Sequence, residues 1–150
     1  MNLHIREATE TDLPGVLALY AQPDMDNGQV LSLADAKLIW TQFRSYPDYR
    51  LWVACDGDSA QAVVGTFALL VMHNLGHQGT PSAIVEDVVV HEAWQHQGVG
   101  QQMMRHAQQL ARDSGCYKLV LSSNQKRQRA HAFYTSLGFQ QHGLSFVIEI

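Results

Sequence analysis

The chain has 150 residues, a formal net charge of −4 and a composition that is 46% hydrophobic and 16% charged. That length fits one globular domain, residues 1–150, with a sizeable core. The acidic balance argues against nonspecific nucleic-acid binding, and no run of about 18 apolar residues suggests a membrane span.

No basic stretch followed by an apolar run opens the chain, so no secretory signal is expected. Cys55 and Cys116 are the only cysteines. They form neither a disulfide framework nor a CxxC metal pair, and reading them as reduced thiols places the protein in the cytoplasm. Charge is unevenly spread: nine of the fourteen acidic residues lie within the first 58 positions, and six of the ten basic ones lie from Arg105 onward.

In chain order, Leu3-His4-Ile5-Arg6 alternates like a first strand. Thr9 and Asp12 form a capping pattern ahead of a helix through Leu13, Val16, Leu17 and Tyr20, with Pro14 tolerated in its first turn. A loop from Pro23 to Gly28 follows. Ser32 and Asp35 then open a second helix, its apolar positions being Leu38, Ile39 and Phe43. Two strands, Arg50–Cys55 and Val63–Met72, are joined by the turn Asp56-Gly57-Asp58 as a hairpin. The segment His73–Ser82 reads as a loop and Ile84–Val90 as a strand. Val99, Met103, Met104, Ala107, Leu110 and Ala111 recur at helical spacing, and Gly115 stops that helix. Tyr117–Ser122 is a strand. Ala130, Phe133 and Leu137 mark a short helix closed by Gly138, and Phe139–Ile150 suits a final strand or hairpin. The order β-α-α-β-β-β-α-β-α-β predicts a mixed α/β (α+β) domain whose largely antiparallel sheet is flanked by about four helices.

The main chemical signal is the loop Gln95-His96-Gln97-Gly98-Val99-Gly100, between a strand and an amphipathic helix. A helix start offers unpaired N–H groups and partial positive charge, and glycine lets backbone close on an anion. A pyrophosphate suits such a site. The loop is no P-loop, since no Gly-Lys-Ser/Thr follows, and it lacks the third glycine of a dinucleotide fingerprint.

With this strand-loop-helix unit, Gly115-Cys116-Tyr117-Lys118, and the run from Ala130 to Phe139 containing Phe133-Tyr134, the chain resembles the GNAT acetyltransferase superfamily along essentially its whole length. The resemblance implies the GNAT fold, acetyl-CoA as acetyl donor, no metal, a small-molecule amine as the second substrate, and a homodimer. By it, the Val88, Val89 and Val90 backbone would bind the acetyl-pantetheine arm. Gln95, His96, Gln97, Gly98, Val99, Gly100 and Gln101 would hold the pyrophosphate. Asn124 would contact the cofactor, and Tyr134 would stand near the thioester sulfur as acid for the leaving thiolate. The loop lacks the Arg or Lys of many relatives, so backbone amides are expected to hold the pyrophosphate more than side-chain charge does.

Glu86 and Asp87 are the candidates for the base, with a water as the alternative. Adjacent residues on a regular strand face opposite ways, so at most one can address the amine directly. An ion pair with a buried Arg is the competing explanation for two acids in an apolar strand. His73 and His77 are four apart but in a loop, and no metal site is expected from them.

Local resemblances divide over the amine. His73-Asn74-Leu75-Gly76 and the Glu86-Asp87 strand are similar to glucosamine-6-phosphate N-acetyltransferases, in which these segments line the sugar-phosphate site. Ser123–Arg127 with Ala130-His131 and Phe133-Tyr134 is similar to aminoalkylphosphonate and aminoglycoside acetyltransferases. Lys126, Arg127 and Arg129 would suit the phosphate or phosphonate of either. Two non-enzymatic readings remain open: a catalytically silent acyl-CoA-binding module, and an interaction domain presenting Trp40, Trp52 or Trp94.

Overall fold

Period-two and helical patterns resolve into strands and helices in a computed structural model, which describes residues 2–57 and 62–150. Among the described residues the elements are β1 (Leu3–Glu7), α1 (Leu13–Tyr20), α2 (Leu33–Ser45), β2 (Tyr49–Asp56), β3 (Ala62–Met72), β4 (Ser82–Val90), α3 (Val99–Asp113), β5 (Leu119–Leu121) and α4 (Gln128–Ser136). The sheet runs β1-β2-β3-β4-β5, and the pairs β1–β2, β2–β3 and β3–β4 are antiparallel. This is the expected mixed α/β fold. The chain packs as two compact units, Met1–Val120 and Leu121–Ile150.

In the first unit, the entry to α1 is set by Asp12. Its carboxylate accepts the Thr9 N–H at 2.7 Å, which starts the helix, and two bonds from the Arg6 guanidinium at 2.7 and 2.8 Å. That bidentate pair ties β1 to α1 and lets a carboxylate that is only 7% exposed remain ionised. For α2, Ser32 Oγ accepts the Asp35 N–H at 3.1 Å, as the capping pattern predicts.

One stripe of α3, formed by Val99, Met103, Met104, Ala107 and Ala111, is buried. Val99 and Met103 come down on the sheet at Gly65 of β3, where a Cβ would stand 2.6 Å from the Met103 sulfur and 3.4 Å from Val99 Cγ1. Only glycine permits this approach.

Three expectations change. The inward face of α2 is Ala36 and Trp40, with Phe43 packed beside them; Leu38 is 68% exposed and Ile39 49%. The i, i+4, i+7 spacing through Trp40 wins because its ring stacks near Phe43, with centroids 6.0 Å apart. Strand β5 is shorter than Tyr117–Ser122, although Ala83 N–H still donates to Lys118 O at 3.0 Å. Residues 139–150 form neither strand nor hairpin, and Leu144, Phe146, Val147, Ile148 and Ile150 are all at least 83% exposed. Alternation gives a strand only where a neighbouring edge takes up its backbone groups. In the hairpin turn, Asp58 lies outside the described residues; Asp56 ends β2.

Candidate active site

The cross-strand register of β4 breaks midway. Thr66 faces Val89 and Ala68 faces Glu86, so Asp87 and Val88 together oppose the single residue Phe67. This is a β-bulge, and Asp87 holds it in the left-handed region at φ +52°. Aspartate tolerates that conformation better than most residues. The bulge also overturns the simple alternation argument for Glu86 and Asp87: both are exposed. Among the described residues neither is in an ion pair, so a buried Arg does not account for them.

Asp87 lines a cavity of about 440 Å³ in the first unit, enclosed by α1, the following loop, α2 and the start of β2. Burial pushes its carboxyl up, and the charge of Asp26 pushes the same way. The Glu86 carboxyl is raised by burial and then by Asp87. Tyr20 and Tyr49, also in the wall, have hydroxyls raised first by burial and then by Asp87, so both are neutral at ordinary pH.

Gln22 fastens this wall to the end of β4. Its side-chain amide donates to Val90 O at 3.2 Å and accepts the Glu92 N–H at 2.8 Å. Gln95 also donates to Val90 O, at 3.3 Å, and its own N–H is taken by Glu92 O. Gln95 is thus used in building the turn. Gln97 braces it by donating to Ala93 O at 2.7 Å.

The next stretch is different. Among the described residues, no hydrogen bond uses the backbone N–H of His96, Gln97, Gly98, Val99, Gly100 or Gln101, and the ladder of α3 begins with Gln102 N–H to Gly98 O at 3.0 Å. His96 and Gly98 have φ of +61° and +84° around Gln97, which makes this a curled run of amides at a 15-residue helix's N-terminus. Such a concavity with a positive dipole end suits a phosphate group.

In the second unit, Asn124 Oδ1 accepts the Lys126 N–H at 2.9 Å and its backbone oxygen meets His131 Nε2 at 2.8 Å, so Asn124 shapes the turn into α4. Lys126, Arg127 and Arg129 are exposed there. Tyr134 packs against Phe133 and Phe139, with ring centroids 5.2 and 5.7 Å away, and burial raises its hydroxyl so that it keeps its proton at neutral pH.

His73 and Asn74 are not among the residues lining the cavity. His73 Nε2 lies 3.2 Å from Asp48, and the Asn74 amide donates to Thr80 O at 2.9 Å. The His77 ring packs at a tilt against Tyr117, with centroids 4.6 Å apart. Trp40 is buried and Trp52 stacks on Phe67, so these rings serve packing.

Tyr20, Gln22, Asp26 and Tyr49 escape motif reading because the chain disperses them; the surplus of acid before position 58 was the available signal.

Comparison with known proteins agrees with this frame. The glucosamine 6-phosphate N-acetyltransferase of Trypanosoma brucei brucei is 26% identical over 150 residues, covering 95% of this chain and 92% of that one. The aminoalkylphosphonate N-acetyltransferase of Salmonella typhimurium is 33% identical over 84 residues, 56% of this chain and 54% of the other. Among solved structures, a candidate acetyltransferase from Agrobacterium tumefaciens superposes with a TM-score of 0.90 at 32% identity, over 98% of this chain and 99% of that one. A Trypanosoma brucei acetyltransferase gives 0.85 at 26%, over 99% and 100%. The acetyltransferase (GNAT) family profile matches residues 14–139, from α1 to just beyond α4, and the chain belongs to that family: it is an acetyltransferase.

Proposed function

We propose that the protein moves the acetyl group of acetyl-CoA onto the amine of a small molecule held beside the β4 bulge. The observation that carries this reading is the pairing, within one unit, of the unbonded amides of His96 to Gln101 with a cavity bordered by Asp87. Acetyl-CoA supplies an activated thioester. The amides of residues 96–101 bind its pyrophosphate, and the Val88–Val90 backbone lies along its acetyl-pantetheine end.

Asp87 takes a proton from the bound ammonium, leaving a nucleophilic neutral amine. As the C–N bond forms, a backbone amide released from the ladder by the bulge hydrogen-bonds the oxygen on which negative charge collects. The C–S bond then breaks, and the departing thiolate is protonated while the second amine proton passes to solvent; by the family resemblance Tyr134, whose hydroxyl keeps its proton, is the acid. The products are an N-acetyl amide and the free thiol. Asp87 is preferred to Glu86 as base because it borders the cavity and Glu86 does not.

A phosphate-bearing acceptor of the glucosamine 6-phosphate or aminoalkylphosphonate kind is the second reading. The exposed run Lys126, Arg127 and Arg129 favours it. We also assign the protein to a homodimer, on the exposed apolar residues Leu144, Phe146, Val147, Ile148 and Ile150. The test is thiol release from acetyl-CoA with glucosamine 6-phosphate, aminoalkylphosphonates, aminoglycosides, polyamines and simple alkyl and aryl amines. Amine-dependent release is expected. Acetyl-CoA binding without release on any amine would favour the silent binding module.

A further inference from the structure

The cavity beside Asp87 is chemically one-sided. Every lining residue is apolar or aromatic except Asp26 and Asp87, and none is Lys, Arg or His. Its floor is aromatic: Phe43 lies 6.0 Å from Trp40 and 4.4 Å from Tyr49, centroid to centroid. At about 440 Å³ it falls inside the roughly 300–1,000 Å³ of small-molecule sites.

Two acids and no base make the wall complementary to a cation. Among the described residues, neither acid is in an ion pair. Tyr20 and Tyr49 line the same wall, and aromatic rings near an ammonium add to its attraction. A phosphate placed in the same wall would lose its water, meet no donor charge and face two carboxylates, which is the expensive way to bury an anion. A polyhydroxylated frame fits less well, since apart from Tyr20, Tyr49, Trp40 and the two carboxylates the wall is aliphatic or phenyl carbon and leaves most of its hydroxyls without partners.

We propose that the acceptor is an amine with an apolar, phosphate-free carbon frame, its ammonium held by Asp26 and Asp87 and its frame packed against Trp40, Phe43 and Ile39. The proposal builds on the acetyl-transfer reading and names the substrate class for that site. By it, the cations at the start of α4 do not select the acceptor. Ile39, 49% exposed at the rim, is where a substitution can change the charge seen by the ligand without emptying the core.

The experiment has a binding arm and a turnover arm. Calorimetry with 2-phenylethylamine and isoamylamine is run on the wild type, Asp26→Asn and Ile39→Lys, with and without acetyl-CoA. Thiol release is followed with the same amines and with glucosamine 6-phosphate. We expect both apolar amines to bind the wild type and to weaken at least about 10-fold in each variant, as loss or opposition of one charge pair would give. We also expect kcat/KM at least about 10-fold above that for glucosamine 6-phosphate. Absence of binding by either apolar amine overturns the proposal, as does an equal or higher kcat/KM for glucosamine 6-phosphate. Charge-sensitive binding without turnover on any amine upholds the cavity assignment and removes the acetyl-transfer chemistry, so the two failures are distinct.

Discussion

Asp87 meets two demands that conflict. Its carboxyl is raised above the ordinary 3.8 by burial and by Asp26, so the fold disfavours the ionised form that a base must take. Below about pH 3.8 the folded and unfolded chains are both protonated there, and no penalty exists. As pH rises through the folded-state value, the penalty appears and stays. We therefore expect Asp87→Asn to raise neutral-pH stability, by less than about 1 kcal/mol because the group is partly solvated. Denaturant melts at pH 7 should show the gain and melts near pH 3.8 should show it fading. Asparagine keeps the tolerance for φ +52°, so the comparison isolates the charge.

Tyr134 makes the complementary case. Its raised hydroxyl is a proton donor across the neutral range, and Tyr134→Phe should cut kcat by about 100-fold while leaving acetyl-CoA affinity within about 2-fold. Unchanged turnover in that variant would remove its role as acid. At this scale the sequence offers Tyr134 and the Gln95 loop as motifs, whose roles the variants test. It was not legible at Tyr20, Asp26 and Tyr49, which meet at one cavity only after α1, α2 and β2 have folded together.

Between residue and fold stands the turn from β4 into α3. The phosphate-binding character expected of it depends on backbone curl more than on side chains, because Gln95 and Gln97 are engaged within the turn itself. Gly98, at φ +84°, holds that curl. A Cβ there meets nothing within 4 Å, so Gly98→Ala should cost only the left-handed strain, about 1–2 kcal/mol. Relief of that strain would re-aim the amides, and we expect acetyl-CoA affinity to fall by about 10-fold. A melt alongside a calorimetric titration separates the two effects; unchanged affinity would mean that the curl is not what binds.

The elements themselves were legible because period and capping agree with burial, as at Ser32 and along the α3 stripe. Two features were not. The bulge at Asp87 is a backbone event with no residue signature such as glycine to mark it. The inward face of α2 does not follow from its apolar positions alone, because Leu38 and Ile39 are strongly apolar yet sit off the Ala36–Trp40 stripe.

For the whole molecule, the apolar end of the chain sets the main open requirement. Five large apolar side chains within residues 144–150 are at least 83% exposed, a state that favours association. We expect the wild type to run as a dimer in sedimentation, and the double variant Phe146→Asp, Ile148→Asp to run as a monomer. A monomeric wild type would remove the homodimer. The same segment explains why the final strand was expected and is absent: its pattern is that of a strand, but no paired edge accompanies it in the single chain.

The central claim is that an amine is acetylated beside Asp87 with this carboxylate as base. The direct measurement is the rate of thiol release at saturating acetyl-CoA and a turned-over amine, for the wild type and Asp87→Asn, with acetyl-CoA affinity measured in both. We expect the variant to be at least about 100-fold slower with affinity unchanged within about 2-fold. A variant that turns over at the wild-type rate would contradict it.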